Sequence, residues 1–207
     1  DVVAAILSAE TKDNQIQQDV KNDALLYAAI TGHAGVVTQL MEAGAECVAE
    51  NQAGLTALHV AAVGGHAEVV KVLAAQERAN LGVGSGINGV GTPLMMAVYA
   101  GHEAVVELLA SRVDVDKEAQ DKKGNTALHY AAMKNNEGVV KRLLEAGANP
   151  DTKNQEGNTA LHVAAMKNNE GVVKRLLEAG ATVDQAREDG KTPLMMAVEK
   201  GHKAVVR

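Results

Sequence analysis

Seven histidines, one cysteine, three serines and one glycine-rich hexapeptide are the residues through which this chain could do chemistry. The histidines keep two registers. His59, His129 and His162 each follow a threonine by three positions, and His33, His66, His102 and His202 each follow a glycine directly. A metal ion needs ligands that converge, with Cys or carboxylate partners. One imidazole per register at a fixed place predicts instead a buried structural ring, bonded to backbone or to a neighbouring helix cap. Ser8, Ser85 and Ser111 have no histidine beside them in this frame, so an activated nucleophile is not supplied. Cys47 reads as a small hydrophobe rather than a reactive thiol. A lone cysteine also excludes an intrachain disulfide and fits a reducing, cytoplasmic setting. Gly84-Ser85-Gly86-Ile87-Asn88-Gly89 matches G-x-G-x-x-G. The segment before it reads as the end of a helix, whereas a dinucleotide site needs a strand there, so the hexapeptide is expected to be an extended loop. No catalytic group, metal or cofactor is expected, and the chain is not expected to be an enzyme.

What positions these residues is an internal repeat. Residues 124–148 read GNTALHYAAMKNNEGVVKRLLEAGA, and residues 157–181 repeat this with Val163 in place of Tyr130. The offset is 33 residues. Looser copies begin at 23, 54, 91 and 190, and TPLMMAV at 92–98 returns unchanged at 192–198. Each unit predicts two antiparallel helices. Thr56, Thr92, Thr126, Thr159 and Thr192 stand where a helix N-cap is required, and Asp23 takes that place in the first unit. Pro93 and Pro193 follow at the first helical position. Alanine pairs such as Ala61-Ala62 let helices approach closely. Gly32, Gly65, Gly101 and Gly201 end the first helix, and Asn135 and Asn168 substitute for them in a left-handed conformation. Val-Val and Leu-Leu at helical spacing build the second helix, closed by Gly44, Gly147 and Gly180.

Thr-Ala/Pro-Leu-His, Ala-Ala, Gly-His, Val-Val and Leu-Leu-Glu-Ala-Gly-Ala together resemble the ankyrin repeat, over nearly the whole chain. The resemblance implies an all-α solenoid of stacked helix-turn-helix units with loop or β-hairpin fingers. It implies a single array over 1–207, with a partial unit at 1–20, five full units over about 21–186 and a partial unit at 187–207. The array reads as a fragment of a longer one. Departures fall at Glu10, Glu77 and Val113, which stand in place of the closing glycine, and at Met95-Met96 and Met195-Met196. The glycine-rich stretch 81–91 lengthens its unit to 36 residues.

The resemblance also implies a concave face of inner helices and fingers that binds a partner protein or peptide. The position after the alanine pair reads Ile30, Val63, Tyr99, Met133, Met166 and Glu199, a nearly apolar column. The next position is small or neutral first and then cationic at Lys134, Lys167 and Lys200. Leu55 adds an apolar group on a finger, and Lys122 and Lys123 add charge. An apolar anchor followed by an acidic stretch fits such a face. Packing under neighbouring fingers is the other reading of the column. A net charge of −6 argues against nucleic acid as partner. No apolar run is long enough for membrane insertion. Apolar end faces at Val2, Val3, Ile6 and Leu7, and at Met195, Val198, Val205 and Val206, suit self-association. Two other settings fit the same sequence: the substrate-recruiting arm of a larger enzyme, and a secreted host-targeting effector.

Overall fold

The computed structural model describes residues 14–76 and 91–206. Among them are twelve helices and no strand. They alternate as inner and outer members of successive pairs: α1 (Asn14–Thr31) with α2 (Ala34–Glu42), α3 (Ala57–Gly64) with α4 (Ala67–Ala74), and α5 (Pro93–Ala100) with α6 (Glu103–Ala110). These are followed by α7 (Ala127–Met133) with α8 (Glu137–Glu145), α9 (Ala160–Lys167) with α10 (Glu170–Glu178), and α11 (Pro193–Glu199) with α12 (Lys203–Val206). Each odd-numbered helix packs on the next odd one and each even-numbered helix on the next even one, so the pairs stack in chain order.

Each pair is shaped by local chemistry. The five threonines adopt extended backbone at the helix start, and the Thr92, Thr159 and Thr192 hydroxyls accept N–H groups of Met95, His162 and Met195. Asn135 (φ 55°) and Asn168 (φ 60°) take the left-handed conformation that Gly65 and Gly101 take in their own units. The core is one continuous cluster of thin side chains, with Ala29, Ala61, Ala62, Val69, Val105, Ala131, Val139 and Val172 closed from solvent. Small residues bring helices close enough for this layer to fill without Phe or Trp.

Asp23 does not cap a helix. It lies exposed inside α1, which continues back to Asn14. Gly54, Gly124, Gly157 and Gly190 stand two residues before the cap in four of the other units, and Gly91 stands one residue before it in the fifth, all at φ between 74° and 78°. The first unit has Lys21 there. Without a residue suited to the left-handed turn, and with no Gly or Pro from 14 to 31, the helix runs on.

The fingers are loops. Four described fingers are drawn shut by a bond across them, such as the Asp121 N–H to the Asn125 carbonyl at 3.0 Å and the Asn154 N–H to the Asn158 carbonyl at 2.9 Å. Neighbouring fingers join through the Gln155 N–H, which donates to the Lys123 carbonyl at 3.0 Å. Burial depends on the neighbouring unit. In the identical heptapeptides at 92–98 and 192–198, Met95 is 2% exposed and Met195 53%. The expectations for residues 1–13 (Val2, Val3, Ile6, Leu7, Ser8 and Glu10) and for Glu77, Ser85, the Gly84–Gly89 hexapeptide and positions 81–90 lie outside the described residues.

Candidate partner-binding face

Five of the histidines prove to be braces between units. His129 and His162 are buried, and Nδ1 of each receives the backbone N–H of its cap threonine at 3.2 Å. The opposite nitrogen reaches the next finger: His129 Nε2 lies 2.8 Å from the Asn158 carbonyl, and His162 Nε2 lies 3.3 Å from that of Lys191. Nε2 must carry the proton to donate to a carbonyl, which leaves Nδ1 as the acceptor. Burial is the main force holding both rings below the ordinary imidazole range, and the carbonyl contacts partly oppose it. The other register behaves differently. His66, His102 and His202 are half-buried, not fully buried, and Nε2 of each meets the carbonyl of Ile30, Val63 or Met166 in the preceding unit at 2.8–3.0 Å. Among the described residues no cluster of three or more His, Cys, Asp or Glu could hold a metal ion. Cys47 is half-buried against the core.

A pH dependence follows from the two buried rings. Their folded pKa values lie below the unfolded 6.5, so their contribution is complete above that pH and is lost as pH falls through the folded values. Over that window the unfolded chain binds more protons. The unfolding free energy is therefore expected to fall between pH 7 and pH 5, by up to about 1.4 kcal/mol per pH unit for each histidine, read as a lower denaturant midpoint. A flat profile there would contradict the assignment.

The column after the alanine pair is accessible. Ile30 and Val63 are exposed, Tyr99 is 55% and Met133 38% exposed, and Met166 is half-buried. Leu55 is half-buried on its finger, and Lys122 and Lys123 are exposed on theirs. Three of the column's carbonyls, at Ile30, Val63 and Met166, are the ones gripped by the histidines, so its backbone is braced from behind.

Charge is divided between the two helix layers. On the outer helices Lys141 pairs with Glu145, Lys174 and Arg175 with Glu178, and Arg142 with Glu107 of the preceding unit at 2.7 Å. At the ends of the inner helices Lys134 and Lys167 are exposed and have no carboxylate partner among the described residues. Farther along, Glu199 is taken up by Lys191 at 2.9 Å.

Sequence reasoning did not foresee the aromatic centre of this face. The Lys134 ammonium sits 3.7 Å from the centre of the Tyr99 ring, and Tyr99 meets Tyr130 edge to face with centroids 5.9 Å apart. The Tyr130 hydroxyl donates to Asp121. Burial, aided by this bond, pushes the Tyr130 phenol up to about 12. Burial opposes ionisation of Asp121, but the donors from Tyr130, Asn125 and Lys123 outweigh it and hold the carboxyl below its usual range. The only hint in the sequence was Tyr130 itself, the one difference between the two near-identical units.

Comparison with known proteins agrees with this architecture. A family model of ankyrin repeats matches in three copies, over residues 1–85, 79–154 and 136–207. The mitochondrial disaggregase of Bos taurus is 34% identical over 134 residues, covering 63% of this chain and 19% of that protein. Neurogenic locus notch homolog protein 2 of Homo sapiens is 33% identical over 139 residues, covering 66% of this chain and 6% of that protein. The chain thus spans a small part of these relatives. The crystal structure of the ankyrin repeat domain of Bcl-3, a member of the IkappaB protein family, superposes with a TM-score of 0.77 at 31% identity, covering 84% of this chain and 76% of that one. With stacked helix pairs, threonine caps and glycine-closed fingers recurring in register, the chain belongs to the ankyrin repeat family.

Proposed function

We propose that this chain is a scaffold that binds a partner protein or peptide along its inner-helix face, the concave side of an ankyrin stack. Ankyrin repeats are in general non-catalytic protein–protein interaction modules. The observation that carries the reading to this face is the unpaired charge beside exposed apolar residues. Every Lys and Arg of α8 and α10 has a glutamate, while Lys134 and Lys167 flank Tyr99, Met133 and Met166 with none among the described residues. Exposed apolar groups that form a contiguous column mark interaction surfaces more often than scattered ones do. The partner is an acidic segment with apolar anchors, and the lone Cys47 suits a reducing, cytoplasmic setting. Among the described residues no helix is long and apolar enough to cross a membrane.

A second reading, the substrate-recruiting arm of a larger enzyme, is favoured by the disaggregase relative, where the matching segment covers 19% of that protein. The partner surface is the same in either case. Proteins retained by the immobilised chain, identified by mass spectrometry and then titrated, provide the test. Tyr99→Ala with Met133→Ala is expected to weaken binding roughly 30-fold or more, since central aromatic anchors carry about 2 kcal/mol or more each. The circular dichroism spectrum should not change, because both side chains are substantially exposed. Unchanged affinity would remove this face from the binding site.

A further inference from the structure

Between α3, α5 and α7 the inner-helix face is indented by a hollow of about 170 Å³, lined by Val63, Met95, Met96, Tyr99, Ala100 and Tyr130. We propose that this hollow is an anchor site for one aliphatic side chain of an acidic partner segment, and that Lys134 and Lys167 take the carboxylates beside it. The inference rests on reading the inner-helix face as the binding face and goes on to name the subsite, its occupant and its register.

Size points to the occupant. A water molecule's share of liquid volume is about 30 Å³, so the hollow has room for five or six heavy atoms. The four heavy side-chain atoms of Leu, Ile or Met fit with their backbone at the rim, and the ten of Trp do not. The lining is almost wholly apolar, which disfavours a polar or charged anchor. Met95 and Met96 are buried, so they form the floor, and thioether side chains adapt their shape to what lies above them.

The walls are held in place before anything binds. Tyr130 is tethered through its hydroxyl to Asp121 and wedged edge-on against Tyr99. The Val63 carbonyl is gripped by His102 at 2.8 Å. A site whose groups are already ordered loses little conformational freedom on binding. Its location is specific to this array. The residue that makes one wall, Tyr130, is Val163 in the next unit, and the floor is Met95 where the units on either side have His59 and His129.

Charge sets the direction of the occupant. The Lys134 ammonium lies over Tyr99, at the edge of the hollow. A single exposed cation–π contact is weak, so an incoming carboxylate can take the ammonium while Tyr99 stays in place as a wall of the hollow. Lys167 holds the same place one inner helix farther along, about 8–10 Å away. The segment therefore carries an aliphatic anchor, an acidic residue next to it and a second acidic residue roughly that distance beyond. No carboxylate of the described residues pairs with either lysine, so a partner's carboxylate meets no internal competitor.

Random peptides displayed on phage and panned against the whole chain at low salt are the probe. Enriched peptides are expected to share one Leu, Ile or Met with Asp or Glu to one side of it. Synthetic copies should bind Tyr99→Ala at least about tenfold more weakly. They should bind Lys134→Gln about two- to fivefold more weakly, with that loss rescued in Lys134→Arg and shrinking as salt is raised. Their titration should also shift the methyl resonances of Met95 and Met96. Peptides that lose affinity with Met133→Ala or Ile30→Ala, but ignore Tyr99→Ala and Lys134→Gln, would overturn the hollow and leave the inner-helix face standing as the binding surface. Peptides indifferent to all four variants, or no enrichment at all, would overturn both.

Discussion

Replacing Leu143 with alanine is expected to lower the unfolding free energy by about 3–5 kcal/mol, the range for a buried leucine whose surroundings cannot collapse. Leu143, in the last turn of α8, is fully closed from solvent in the core cluster. The outer helices α6 and α10 pack on either side of it, so the cavity would open in the middle of the stack. The architecture adds a second consequence. In a linear array each unit is stabilised chiefly by its two neighbours. A defect in the α7–α8 pair weakens two interfaces at once and separates the units before it from those after it. Denaturant unfolding should therefore broaden or split into two transitions, with a reduced apparent slope. Leu177→Ala is the control. Leu177 is 40% exposed on α10, and its truncation should cost below about 1 kcal/mol. Equal losses for the two variants, or one sharp transition shifted in parallel for Leu143→Ala, would argue against neighbour-limited stability.

Gly124→Ala is expected to cost about 2–4 kcal/mol, more than a methyl at Gly147 or Gly157. Two costs act together. Gly124 has φ 75°, where an L-side chain costs about 1–2 kcal/mol. A Cβ at this position would lie 2.7 Å from the backbone nitrogen of Gln155 and 3.1 Å from Asn154 backbone atoms. Backbone cannot rotate away as a side-chain end can. The finger must retreat, which breaks the Gln155 N–H bond to Lys123 and adds about 1 kcal/mol. Two other glycines divide these costs. Gly147 has φ 88° with open space around it, so Gly147→Ala reports the conformational cost alone. Gly157 has φ 76° and ordinary contact at 3.5 Å with Arg187, so Gly157→Ala should resemble Gly147→Ala. Chemical denaturation of the three variants should place Gly124→Ala clearly below the other two. If all three coincide, finger-to-finger packing contributes nothing at this position.

The difference between Gly124 and Gly147 also shows where sequence reasoning reached its limit. Both glycines occupy repeated turn positions, and the need for a left-handed backbone is visible in the repeat itself. Nothing in the local sequence says that one turn meets the next finger and the other meets solvent.

The repeat, its helix pairs, the threonine caps, Asn135 and Asn168 as left-handed stops, and the thin alanine–valine–leucine core were all legible in the chain. Each depends on the φ preference, capping ability or volume of residues within a single unit, and such preferences act over a few positions. Asp23 shows the boundary of that logic: its capping ability counted for nothing once Lys21 occupied the position where a glycine makes the turn. Tertiary structure decided whatever joins one unit to the next. Met95 is closed and Met195 open within identical heptapeptides, because α5 has a described inner helix packed on each side, α3 and α7, and α11 on one side only, α9. Arg142 turned to Glu107 in the preceding unit, His129 to the Asn158 carbonyl in the following one, and Lys134 to Tyr99. These partners lie about one repeat apart along the chain. Which of several like-charged or apolar candidates meets across that distance is set by how one layer lies on the next, and no single unit encodes it.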